Sequence, residues 1–219
     1  MTFTTEITEF DMKKLTAIIG IILSFMLGSV QAQTMANELV KKTIDKINKH
    51  KNVEFVFDYD ISNETIAVTE SASGKAYMQG DAYKLETEGQ SIISDGKTMW
   101  TYLPENEEVM VSNPSKDDNI ITPIKMLTTY EKDYIIKYAK SNEKGIKVVE
   151  MSNSKGEFGK VTMKINEVKL EIVSATISSR GGIDFTIKIK KTIFDQNLDA
   201  KFFTFDEKAH PKVDVIDMR

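Results

Sequence analysis

The chain has 219 residues, 41% hydrophobic and 28% charged, which excludes an intrinsically disordered polypeptide and suffices for one substantial domain. A net charge of −4 and only two arginines, Arg180 and Arg219, leave no electrostatic footprint for nucleic acid. The chain has no cysteine, which removes disulfides, thiol catalysis and cysteine-based zinc sites and leaves stability to packing.

The first element in chain order is an export signal. The stretch MKKLTAIIGIILSFMLGSVQAQ begins with Lys13 and Lys14, runs apolar from Leu15 to Leu27, and closes on Val30-Gln31-Ala32. Small residues at both positions that a signal peptidase reads predict cleavage after Ala32. The apolar run is shorter than the roughly 20 residues of a membrane span. Residues 1–32 are therefore expected to be a signal peptide, with Met12 as the true start because residues 1–11 are acidic. Residues 33–219 are expected to form one mature domain. Without a cysteine at the cleavage site, that domain cannot itself be lipid-modified.

A helix follows over about 35–50, where Met35, Leu39, Val40, Ile44 and Ile47 form one apolar stripe. His50 at its end reads as a capping residue near the last carbonyls. The period then changes to two. Val53, Phe55, Phe57 and Tyr59 share one strand face, and Tyr83 and Leu85 alternate with Lys84 and Glu86. Val161, Met163 and Ile165 alternate with lysines, and Ile183, Phe185, Ile187 and Ile189 with polar residues. Such alternation marks antiparallel strands with one wet and one apolar face. Turns are expected at Gln79-Gly80-Asp81, Asp95-Gly96, Pro104-Glu105-Asn106, Ser154-Lys155-Gly156 and Gly181-Gly182. About ten strands in series result.

Residues 115–141 interrupt the series. Pro123 suits a first helical position, with Ile124, Met126, Leu127 and Tyr130 as a short apolar cluster. The expected architecture is α+β and mostly antiparallel: a curved sheet, an N-terminal helix and a short inserted helix, with room for an apolar hollow between them.

Catalytic chemistry finds few candidates. His50 and His210 are the only histidines, and no nucleophile elbow, zinc motif or phosphate loop occurs. Asp117-Asp118 lacks the ligand spacing of a calcium loop and reads as a solvated segment before the helix. No metal site and no cofactor are expected, and no pair of acids is singled out for hydrolysis. What stands out is apolar equipment: Trp100 and Tyr102 on one face of a strand, Met99, Thr101 and Leu103 on the other, and 11 methionines able to repack around variable ligands. For each of these residues plain core filling is the competing reading.

The stretch SDGKTMWTYLPE (94–105) resembles the SDGK-x-x-W-x-Y-x-P motif of LolA-type periplasmic lipoprotein carriers. GKAYMQGDAYKLE (74–86), TPIKMLTTY (122–130) and LDAKFFTFDEKAHPKVDVID (198–217) are similar to the family's preceding strand–turn–strand, its short Thr-Pro helix, and its closing KF-x-F strand and tail. The resemblance implies a half-open β-barrel with the helices as a lid over an apolar cavity. It implies a non-enzymatic periplasmic carrier, acting as a monomer with only transient membrane contact. Its partners would be acylated lipoproteins, an inner-membrane ABC lipoprotein-release transporter and an outer-membrane acceptor. The lipid-binding set it implies here is Phe55, Phe57, Tyr83, Leu85, Ile92, Trp100 and Tyr102, with Ile124, Met126 and Leu127 from the lid and Phe185 from the late strands. Trp100 and Tyr102 are expected to face the hollow. One departure is plain: the family's Arg-Pro pair, which helps to close the lid, is replaced by Gln79-Gly80-Asp81. A lipid or glycolipid transfer or sensor protein with the same fold, and a periplasmic hydrolase, remain as alternatives.

Overall fold

The computed structural model describes residues 34–63, 68–114, 135–152, 158–179 and 181–219. The expected signal peptide, the Ser154-Lys155-Gly156 turn, and the inserted helix with Ile124, Met126 and Leu127 lie outside the described residues. Helix α1 spans residues 34–48. Of its expected stripe, Leu39, Val40, Ile44 and Ile47 are buried, while Met35 is 55% exposed and Ala36 takes its place against the sheet. The outer face carries ion pairs such as Lys42 with Glu38. Thr43 is buried within the stripe, and its hydroxyl donates to the Leu39 carbonyl at 2.9 Å, which satisfies it.

Among the described residues twelve strands follow, two more than the alternation suggests, and one of them, at 135–139, lies in the segment expected to interrupt the series. They are β1 (Val53–Asn63), β2 (Val68–Gln79), β3 (Ala82–Thr87), β4 (Gln90–Ser94), β5 (Met99–Leu103) and β6 (Glu108–Ser112). The second group is β7 (Ile135–Ala139), β8 (Ile146–Ser152), β9 (Phe158–Asn166), β10 (Glu171–Ser179), β11 (Ile183–Phe194) and β12 (Asp214–Asp217). They form one sheet in the order β12-β6-β5-β4-β3-β2-β1-β11-β10-β9-β8-β7. Only β12 runs parallel to its neighbour; every other pair is antiparallel. The sheet is not closed: β12 and β7 are its two edges.

Bulges let one face stay apolar along the long central strands. Val56 stands opposite Lys191 and Phe57 opposite Ile189, so Lys190 is an extra residue in β11. The parity change keeps Thr192 and Phe194 on the face already held by Ile187 and Ile189. A similar shift between Ile172 and Ser174 does the same in β10. Both bulges add twist, and the sheet curls around α1.

The concave face and α1 share the main core. Its buried residues include Val53, Phe55 and Phe57 of β1, Val149 and Met151 of β8, Val161, Met163 and Ile165 of β9, and Ile187 of β11. Phe57 packs across Gly74, where an added Cβ would come within 2.7 Å of the Phe57 ring and 2.9 Å of the Glu86 carbonyl oxygen. Glycine is required there by close approach, not by its backbone angles.

The convex face carries a second core under the C-terminal segment. After β11 the chain turns at Asp195, whose carboxylate accepts from the Lys51 N–H and from His50 Nδ1, each at 2.7 Å. Buried Asn52 accepts from the Gln196 N–H and donates to the Gln196 carbonyl, both at 2.8 Å. Residues 195–213 then cross the convex face as a strap. In place of the expected closing KF-x-F strand it forms a short 3-10 helix, Ala200–Phe203, because the Asp199 carboxylate caps it by accepting from the Phe202 N–H. Phe202 meets Tyr77 edge-on at 4.8 Å, and Phe205 packs with Ile93 and Val109.

Burial under this strap, with Glu54 and Glu86 nearby, pushes the Tyr77 phenol up to about 12 from its usual value of 10.0. The folded protein thus keeps a proton that the unfolded chain releases. Stability from this group is complete below pH 10 and is lost as pH rises through about 12. Alkaline unfolding followed by circular dichroism should therefore show a steeper loss between those pH values for the parent than for Tyr77→Phe. Equal slopes would show that Tyr77 does not titrate with unfolding.

Candidate functional site

Strand register sorts the side chains into rows across the concave face. One row runs Phe55, Ala76, Leu85, Ile92, Thr101, Met110 and on to Ile216. The adjacent row runs Val53, Met78, Tyr83, Ser94, Met99 and Ser112. Neither row contains a carboxylate, a lysine or a histidine. Phe57, Ile189 and Phe185 extend the same face toward β10 and β11.

The two halves of this face differ in cover. Around β1 and β7–β11 the side chains are buried against α1. From β3 only Leu85 touches that cluster, and β4, β5 and β6 contribute no described residue to it. Tyr83, Leu85, Met99, Thr101, Leu103 and Met110 are half-buried, while Ile92 is 9% exposed. The Tyr83 hydroxyl donates to Met99 Sδ at 3.3 Å, so the phenol bridges β3 and β5 within the apolar surface. Along the two rows this half is a strip of apolar and hydroxyl side chains with two thioethers, four strands wide or about 14 Å at the usual spacing of strands, and Glu108, opposite Leu103, borders it on the same face.

Of the expected lipid-binding residues, the fold brings Phe55, Phe57, Tyr83, Leu85, Ile92 and Phe185 onto the concave face. Trp100 and Tyr102 are the correction. Trp100 stands opposite Ile93 and Val111, and Tyr102 opposite Ser91 and Val109, on the convex side. There Trp100 packs with Ile93, Val109 and Phe205, while Tyr102 lies 5.2 Å from the Phe205 ring and 4.9 Å from His210. They are the floor of the strap. The reason is the KFFTF run at 201–205, whose aromatic side chains need an apolar surface of their own. The residues that take their place on the concave side are Met99, Thr101 and Leu103. Their signal in the sequence is the same strand: both of its faces are bulky, so both had to be covered.

Both histidines are packing groups. His50 stacks on Phe194 at 4.0 Å beside its hydrogen bond to Asp195, and that bond holds the Asp195 carboxyl below its usual range. His210 stacks on Phe205 at 5.0 Å. A cavity of about 310 Å³ opens where α1 meets β1 and β2, floored by Ile47, Val53 and Met78 and rimmed by Asn48, Lys51 and Asn52. No group of three or more acidic or histidine side chains among the described residues could hold a metal ion. No helix of the described residues is long and apolar enough to cross a membrane.

Among the described residues, an open, curled antiparallel sheet packed around α1, with an apolar strip left on its inner face, defines a class of protein whose candidate site is a surface. A family model described as outer membrane lipoprotein carrier protein LolA matches residues 48–206, and the chain belongs to this family. A relative in Psychromonas ingrahamii, an outer-membrane lipoprotein carrier protein, is 29% identical over 108 residues. That match covers 48% of this chain and 51% of the relative, so the chain spans about half the length of the curated protein. Among solved structures, a conserved protein of Thermus thermophilus shares the fold, with a TM-score of 0.53 at 10% identity, covering 81% of this chain and 98% of that one. A LolA superfamily protein from Nitrosomonas europaea overlaps 78% of this chain and 97% of its own, with a TM-score of 0.44 at 11% identity.

Proposed function

We propose that this protein is a periplasmic carrier that shelters the acyl chains of lipoproteins on the concave strip of its sheet. It takes them from an inner-membrane ABC transporter and passes them to an outer-membrane acceptor, without covalent chemistry and as a monomer. Residues 1–32 serve as its export signal and residues 33–219 as its single carrier domain. The observation that carries this reading is the row of Tyr83, Leu85, Met99, Thr101 and Met110, half-buried around buried Ile92 and beside a helix-packed core, with no charged side chain among them. Each acyl methylene buried there is worth about 0.8 kcal/mol, so part of a chain suffices for useful affinity. The strip also suits release, because its thioethers repack around whatever leaves.

One feature favours a second cargo, a free lipid or glycolipid. The β2–β3 turn holds no arginine, and the Gln79 side chain instead accepts from Asn52 Nδ2 at 3.1 Å, the residue that also holds Gln196 at the start of the strap. Native mass spectrometry of the mature protein, purified gently from its own periplasm, separates the two. A bound acylated polypeptide is the expected result. Bound phospholipid or glycolipid would assign the protein to lipid transfer, and an empty protein that ignores acyl probes would overturn both readings.

A further inference from the structure

The apolar row that holds Leu85 and Ile92 ends at a free sheet edge. Strand β12 is the outermost strand beside β6, and all four of its residues are exposed. The Asp214 N–H donates to the Glu107 carbonyl and the Met218 N–H to the Val111 carbonyl, both at 2.8 Å. Alternate residues of a strand turn their backbone groups to opposite sides. Asp214, Ile216 and Met218 therefore face β6, while the N–H and C=O of Val215 and Asp217 point outward, with no strand beyond them among the described residues. The side chains here are apolar and open: Val215 is 42%, Ile216 38% and Met218 57% exposed. Ile216 stands opposite Met110 and is the last member of the concave row.

This edge is also acidic. Asp214 pairs in register with Glu108, and Glu105 and Glu107 occupy the adjoining turn. Arg219 is held by the Asp217 carboxylate at 2.6 and 2.9 Å. Two identical edges brought together would set acid against acid, which disfavours a second copy as the occupant.

We propose that the β12 edge docks the peptide that continues from the acylated residue of the cargo, an extended lysine-bearing segment added to the sheet while its acyl chains lie along the Ile216–Met110–Ile92–Leu85 row. The inference rests on the carrier reading and deepens it. Main-chain hydrogen bonds to Val215 and Asp217 accept any extended sequence, which suits a carrier of many cargoes, and the carboxylates select for basic segments. The row and the edge meet at Ile216, so one ligand can engage both.

The test compares three probes by fluorescence titration: a dansylated fatty acid, dipalmitoylated Cys-Ser-(Lys)4, and dipalmitoylated Cys-Ser-(Glu)4. The lysine lipopeptide is expected to bind about tenfold more tightly than the glutamate one at low salt, with the gap closing at high salt. Val215→Pro removes an outward N–H without touching a bond to β6, and Asp214→Lys reverses the charge. Each should weaken the lysine lipopeptide about tenfold and leave the fatty acid unchanged. If Val215→Pro does not fold, Asp214→Lys alone decides. Equal affinities for the two lipopeptides, or a lysine lipopeptide indifferent to the edge variants, would overturn the docking inference while the carrier reading stands. If none of the probes binds, the carrier reading fails and takes this one with it. Dimerisation in light scattering that is lost in Asp214→Lys would assign the edge to a second copy instead.

Discussion

Leu85→Gln is expected to weaken binding of a long-chain acyl probe by at least about tenfold, since it removes roughly 1.5–3 kcal/mol of apolar contact from the middle of the concave row. Its stability should fall by only about 1 kcal/mol, because Leu85 packs against the edge of the main core but is half-buried, and the glutamine amide reaches solvent. Trp100→Ala should do the opposite. It leaves acyl affinity unchanged and lowers unfolding free energy by about 3 kcal/mol, the cost of removing a large aromatic from the floor of the strap. The two variants, measured by probe titration and by urea unfolding, separate a ligand surface from a structural one. Trp100 is the single tryptophan, which permits a direct check. A brominated acyl chain quenches indole only on contact, so binding of such a chain should leave the fluorescence of Trp100 intact. Strong quenching would put the ligand on the convex face and sink the assignment.

The second large effect is Gly74→Ala. The new methyl group meets the Phe57 ring at 2.7 Å and the Glu86 carbonyl oxygen at 2.9 Å, and the second of these is backbone that cannot swing away. A loss of about 2–3 kcal/mol is expected, at the upper end of overpacking penalties because Gly74 is paired on both sides, with Phe57 of β1 and Thr87 of β3. Phe57→Leu by itself should cost about 1–2 kcal/mol as a small cavity. Combined with Gly74→Ala it should cost less than the sum, because the shortened side chain makes room for part of the methyl group. Strict additivity in urea unfolding would show that Phe57 and Gly74 do not share this contact.

Much of the architecture was readable from spacing. The stripe of α1 follows from apolar residues three and four apart, and the one-sided strands β1, β9 and β11 follow from strict alternation with charged neighbours. In those segments one face is polar enough that only one orientation buries the other. The register of the bulges was not readable, because an extra residue such as Lys190 looks like any other lysine on a wet face. The late segment was harder still: residues 200–217 carry no period, so the strap and its parallel return along β6 leave no local trace.

By itself, the sequence determined that this chain folds as a curled antiparallel sheet with an N-terminal helix, that it lacks the groups for thiol chemistry, and that it resembles the LolA family to which it belongs. Periodicity, composition and a short motif suffice for that, because each reports on local geometry or on the residues available. Only the tertiary structure decided which side of β5 looks inward. Met99-Trp100-Thr101-Tyr102-Leu103 is bulky on both faces, so alternation gives no preference. The choice fell to a contact about a hundred residues away, where Phe205 and His210 cover Trp100 and Tyr102 and leave Met99, Thr101 and Leu103 to the hollow.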